Sequence, residues 1–353
     1  MHRSTHKEID DLMVRSRAAT RALASRGRLH NVFLAGAPWA GLGSPKSDVD
    51  VFVVVDADDV RPTEQVFEMG MRLDVEYVSW DSLEALVGLV GSYEVTATVM
   101  TQLTRASRTA LESLTRFWLS EIVVDTAGRL DSLMDTLKAS QTTYLRVLLA
   151  RHATDTLNLA EDVEGALAMG LRESADYGAR EALYRSAEAY LARRGDPYVK
   201  SKWVWSKWLR TAAHRFDADV TNYLSDPHQS DMMAAVRTSR WLSQDLLVMA
   251  LTGIDYAPTL NAREGTLRRM TGHTPLEVID GFLILRDVEE GIELSWQGLL
   301  LWGVSHGKTR EDGIAITCSL LSDAGHPVPA SDVAEYLDLL TDSGLFLAAG
   351  TGA

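Results

Sequence analysis

Hydrophobic positions recur along the chain with two different periods, and the switches between them mark the elements. From Lys7 to Arg26, Ile9, Leu12, Met13, Ala19 and Leu23 fall at helical spacing with no proline or glycine between them. This predicts an amphipathic helix ended by Gly27. Val32–Ala35 and Val51–Val55 are short apolar runs and predict two strands, joined by a loop containing Gly36, Pro38, Gly41, Gly43 and Pro45. Met71, Leu73, Val75 and Tyr77 alternate with Asp74 and Glu76, which predicts a third strand with an apolar face and an acidic one. The pattern is helical from Ser82 to about Arg116, changes to a short strand at Glu121–Asp125, and becomes helical again after Gly128.

Long amphipathic runs fill residues 129 to about 257, broken at Gly170, Gly195–Pro197 and Asp226–Pro227. They predict a helical bundle that includes a helix over Arg180–Arg194. The character changes again from Pro275. Gly281–Arg286 and Ile292–Leu294 read as paired strands around Glu289–Gly291. Three helical stretches follow, at Ser295–Ser305, Arg310–Ser322 and Asp332–Ser343, before a close at Gly344–Leu347.

The chemistry concentrates where the glycine loop meets the second strand. Asp48 and Asp50 are two residues apart, so on a strand their side chains leave the same face, about 6 to 7 Å apart. Two such carboxylates repel, and a hard divalent cation with oxygen ligands relieves that repulsion. Asp56/Asp58 and Asp217/Asp219 have the same spacing but lack a preceding glycine loop and a following apolar strand, so solvated loop acids account for them.

The loop and the acids together resemble the DNA polymerase β-like nucleotidyltransferase superfamily, in its minimal and aminoglycoside-modifying branches. Gly36, Gly41, Ser47, Asp48 and Asp50 stand at the family spacing. Ala37 replaces a serine that is usual there, and Ala40 replaces a common arginine. The resemblance implies that Asp48, Asp50 and Asp74 hold magnesium ions (Mg²⁺) and that Gly36, Ala37 and Ser47 seat the phosphates of a nucleoside triphosphate, ATP by expectation. Glu76, on the face of Asp74, is an orienting group or base. The general base itself is unassigned, with Glu76 and Glu161 as candidates. For Asp155, Glu161, Asp162 and Glu164, a solvated helix face is the expectation ahead of binding the amines of an acceptor or deprotonating its hydroxyl.

Asp196–Arg210 resembles the segment of the helical domains in these enzymes that contains a Lys-Trp pair, here Lys202 and Trp203. Lys202 and Lys207 are the cations expected at the nucleotide. For Trp203, Trp205 and Trp208, core packing is the expectation ahead of base stacking. The tail resembles PqqD-like peptide-recognition proteins through Gln297–Trp302, His306–Thr309, Leu337, Leu340 and Gly344–Leu345. Strand addition of a peptide and plain packing are its two readings.

The expected fold class is therefore α+β: a nucleotidyltransferase mixed sheet with flanking helices, then a helical bundle and a small winged-helix domain. The boundaries fall at 1–128, 129–262 and 275–348. The expected activity is transfer of a nucleoside monophosphate to a hydroxyl of a small-molecule or peptide-like acceptor, in natural-product biosynthesis. Antibiotic resistance by the same chemistry, or a degenerate nucleotide-binding regulator, are the alternatives.

Charge narrows the partners. The chain of 353 residues carries a net charge of −14, against a nucleic-acid surface built on Lys/Arg contacts to phosphate. The tail from Phe282 to Phe346 has eleven acids against three bases, which argues against a DNA-binding module. No apolar run reaches the ~20 residues of a membrane span, and the N-terminus lacks the apolar core of a signal peptide. One cysteine, Cys318, leaves no internal disulfide; a buried thiol in a cytoplasmic protein is the expectation.

Overall fold

The structure is a computed structural model that describes residues 3–94, 107–226, 231–263, 265–278, 281–285 and 291–347. The middle of the Ser82–Arg116 stretch, Pro227 and the turn at Glu289–Glu290 lie outside the described residues. Contacts divide the chain into two compact units: the first is 1–93, 105–147 and 198–200, and the second is 94–104, 148–197 and 201–353.

The first unit is built on a five-stranded mixed sheet, β1 (Asn31–Ala35), β2 (Asp50–Val55), β3 (Glu64–Glu68), β4 (Met71–Ser79) and β5 (Glu121–Asp125), in the order β3-β4-β2-β1-β5. β2 and β4 run parallel, while the other neighbours are antiparallel. Alternation gives the sheet two faces. Val51, Val53, Leu73 and Val75 form a core with Leu12 and Ala19 of helix α1 (Arg3–Gly27). On the other face Phe52 stacks on Phe33 with ring centroids 4.8 Å apart, and Phe117 of α3 (Arg108–Trp118) meets Phe33 edge-on at 5.2 Å. Helix α2 (Trp80–Gly91) starts at Ser79, whose hydroxyl accepts from the Ser82 N–H.

The expected boundary at 128 is not where this unit ends. α4 (Arg129–Ala139) buries Leu130, Met134 and Leu137 and packs on α2, α3 and β5, so the unit continues to 147. Gly27 ends α1 as expected; it is the helix's last residue, and the left-handed conformation falls on the next one, Arg28 (φ 52).

The second unit contains α5 (Gln141–Ala168) from residue 148 onward, then α6 (Arg172–Arg193), α7 (Val204–Thr211), α8 (Ala218–Ser225) and α9 (Met232–Thr252). Small side chains at Ala175, Ala179, Ala182 and Ala187 are fully buried and let α6 lie close against α9. Trp208 stacks on Phe216 at 4.9 Å and is 1% exposed, so it packs the core as expected.

The tail is not a separate compact unit. The hairpin partners read from sequence do pair, as β8 (Gly281–Leu285) and β9 (Gly291–Leu294), with β7 (Thr274–Val278) completing a three-stranded sheet. Helices α10 (Trp296–Val304), α11 (Arg310–Asp323) and α12 (Ala330–Asp342) follow. The tail is bound into the unit by a two-residue ribbon, β10 (Phe346–Leu347) against β6 (Arg268–Arg269). It is also held by a buried cluster in which Arg269 Nη2 donates to Asp245 Oδ1 of α9 at 2.6 Å and Tyr256 donates to the same oxygen at 2.9 Å. Cys318, expected to be buried, is half-exposed on α11.

Candidate active site

The parallel pairing of β2 and β4 sets the acidic site. Asp50 and Asp74 are direct register partners, and the Asp74 N–H donates to the Val49 carbonyl at 3.0 Å. Glu76 is two residues after Asp74, so Asp50, Asp74 and Glu76 belong to the sheet face of Phe52, and Asp48 stands in the loop just before β2. Gly36 ends β1 beside them in a left-handed conformation (φ 101), and a Cβ there would lie 2.8 Å from Asp50 Oδ2. Glycine is therefore required at 36 for two reasons, backbone conformation and room for the Asp50 carboxylate.

Burial pushes the Asp50 carboxyl up to about 6; Arg116 opposes that rise, while Glu76, Asp74 and Asp48 add to it. Asp74 Oδ1 is buried and has no hydrogen-bond partner among the described residues. A buried carboxylate oxygen with no donor, next to a second carboxylate that resists ionisation, is a donor set that suits a hard cation. The set is not closed, however. Arg72 Nη2 donates to Asp48 Oδ1, and its Nε lies 4.0 Å from Asp74 Oδ1. Among the described residues no three Asp, Glu, His or Cys side chains stand together as a metal-binding group. Asp50 and Asp74 are the pair whose chemistry suits a divalent ion, while Asp48 is engaged by Arg72.

Glu76 pairs with Arg116 Nη1 at 3.6 Å. The sequence left out Arg72, Arg116 and Tyr198. Arg72 had a signal, because it shares the two-residue period and the face of Asp74. Nothing in the sequence points Arg116 of α3 at Asp50, or brings Tyr198 into the first unit, where burial raises its hydroxyl and Arg116 opposes that rise.

The glycine loop is braced internally. Leu42 N–H donates to the Ala37 carbonyl at 2.8 Å, and Ser44 N–H donates to Ser47 Oγ at 2.8 Å, so the Ser47 hydroxyl serves the turn. Trp39 Nε1 reaches Glu121 Oε2 at 3.2 Å, and Glu121 also receives Arg17.

The expected cations belong to the second unit. Lys202 is exposed, 5.6 Å from the Trp203 ring centroid, and Lys207 is 1% exposed. Burial lowers the Lys207 ammonium, with Glu188 and Asp196 opposing. A buried ammonium beside acids is a core cation, not a surface phosphate contact. The basic residue of that segment that joins the sheet unit is Lys200, whose Nζ is 2.6 Å from Glu112 Oε2. Glu161 is in the second unit, lining a cleft of about 500 Å³ with Glu164 and His273.

No protein-family model matches the chain, and no curated protein does. In structure it is similar to a nucleotidyltransferase-like protein from Exiguobacterium sibiricum 255-15, at 15% identity and a TM-score of 0.38, over 66% of this chain and 76% of that one. A likeness of that size carries no argument for function.

Proposed function

We propose that the chain is a divalent-metal-dependent nucleotidyltransferase that moves a nucleoside monophosphate, AMP from ATP, onto a hydroxyl of a small-molecule or peptide-like acceptor. One observation carries this reading: Asp50 and Asp74 face each other across parallel strands beside a glycine that leaves space for the Asp50 carboxylate. In the transfer, the acceptor oxygen bonds to the α-phosphorus. The bond from that phosphorus to the bridging oxygen breaks, its electron pair leaves with pyrophosphate, and the hydroxyl proton passes to solvent. Mg²⁺ held by Asp48, Asp50 and Asp74 would supply charge neutralisation on the phosphates and lower the acceptor hydroxyl's pKa. Asp50 and Asp74 hold two oxygens at the depth of the sheet, Gly36 keeps the approach to them open, and Arg116 limits the charge accumulated around Asp50 and Glu76.

The tail's three-stranded sheet, three helices and closing strand, integrated into the second unit, are an addition that an enzyme of biosynthesis would use for acceptor recruitment. A second reading, nucleotide binding without turnover, is favoured by Ala37 and by the Arg72 contact on Asp48. A screen of nucleotides and hydroxylated acceptors by product mass separates the two. The transferase reading predicts an acceptor heavier by one nucleoside monophosphate, formed only with a divalent ion. Nucleotide binding by calorimetry with no such product from any acceptor would leave the second reading.

A further inference from the structure

We propose that the pocket at the open end of β2 and β4 is the acceptor subsite, and that it takes acceptors with an anionic group next to a flat apolar part. This rests on the nucleotidyl-transfer reading above and adds the class of acceptor.

The pocket encloses about 450 Å³ within the first unit, a size suited to a small molecule. Arg15 of α1, Lys46 of the glycine loop and Arg72 of β4 stand in its wall, with Asp48 as its one acid. Three bases against one acid is unusual in a chain with 49 acids and 35 bases. Arg15 and Lys46 are exposed and form no ion pair among the described residues, so their charge is available to an incoming anion. Phe67 supplies the apolar part. It is 74% exposed, and as the register partner of Arg72 it stands beside that guanidinium on the same sheet face. An exposed phenyl ring flanked by cations suits a planar anionic ligand through apolar cover and charge.

Position selects the acceptor over the nucleotide. Along the order β3-β4-β2-β1-β5, the glycine loop leaves from β1 at Gly36, and only its far end, residues 45–49, reaches the pocket, which α1, β3 and β4 complete. Asp50 and Asp74 lie on β2 and β4, between the two. Residues 36–44 of the loop do not line the pocket. In-line displacement needs the attacking oxygen and the leaving pyrophosphate on opposite sides of the transferred phosphorus; the pocket is assigned to the first and residues 36–44 of the loop to the second.

Calorimetry of the full chain with phenyl phosphate, phenol and inorganic phosphate, without divalent ions, tests the assignment. Phenyl phosphate should bind saturably and more tightly than either control. The double variant Arg15→Ala/Lys46→Ala should weaken it about tenfold, and Phe67→Ser about threefold. All three positions are exposed, and thermal melts confirm that the variants fold. Excess ATP should leave phenyl phosphate binding unchanged. Unchanged affinity in the double variant, absence of binding to the wild type, or displacement of the probe by ATP would each overturn the proposal. If phenyl phosphate binding depends on Arg15 and Lys46 but no nucleotide transfer is found, the pocket stands as an anion site and only the transferase reading fails.

Discussion

Asp50 holds its carboxylate where burial resists charge, and that has a measurable consequence for stability. Its carboxyl is raised from 3.8 to about 6 in the fold, so between about pH 4 and pH 6 the native state binds the proton that the unfolded chain releases. Stability contributed by this residue is therefore present at low pH and is lost as pH rises through about 6. The loss is at most about 3 kcal/mol. Asp50→Asn removes it: in chelator, the variant should melt above the wild type at pH 8 and level with it at pH 4. Equal melting at both values would show that Asp50 is not strained by burial.

Arg72 gives a second test at this scale. It holds Asp48 by an ion pair, and a cation on Asp48 has to displace it. Arg72→Ala should tighten Mn²⁺ binding, read by titration calorimetry, by roughly three- to tenfold. Unchanged or weaker binding would mean that Asp48 is not a ligand. The sequence disclosed the acids because their spacing and strand context are local. It did not disclose the Arg72 contact, because a surface arginine's partner depends on which strands become neighbours.

At the scale of elements, periodicity was enough for β1, β2 and β4, where one face is apolar and the other is not. β3 was not read from sequence. Its residues Glu64–Glu68 present only Val66 to the core, as an edge strand does. β6 and β10 have two residues each, too short for any pattern, yet they fasten the tail. α7 misled in another way, since Lys207 looked like a surface cation but is buried next to the core residue Trp208. The ribbon's energetic weight lies in Arg269, which is fully buried with Asp245 and lies over the Trp302 ring at 4.8 Å. Arg269→Ala strands the Asp245 charge, so urea unfolding should show a loss of about 3–5 kcal/mol, with the far-UV signal of the helical unit lost first. A loss below about 1 kcal/mol would mean that the pair is not what holds the tail.

For the whole molecule, the α+β class and the order of sheet, helices, strands and helices were legible, because each follows from local period. The division into two units in place of three segments was not. It depends on α4 returning to the sheet, on residues 198–200 joining the first unit, and on the buried contacts of the tail, none of which leaves a mark in composition. Among the described residues no helix is long and apolar enough to cross a membrane. The acidic total also hides a local exception, the basic rim of Arg15, Lys46 and Arg72, which sequence order scatters over three elements.

Pyrophosphate release from ATP, with and without Mg²⁺, in the wild type and in Asp50→Asn and Asp74→Asn is the most direct measurement. Release should require the divalent ion and a hydroxylated acceptor, and should fall by more than about 100-fold in both variants while their melting remains cooperative. Release that persists at the wild-type rate in either folded variant would contradict a metal site shared by the two strands.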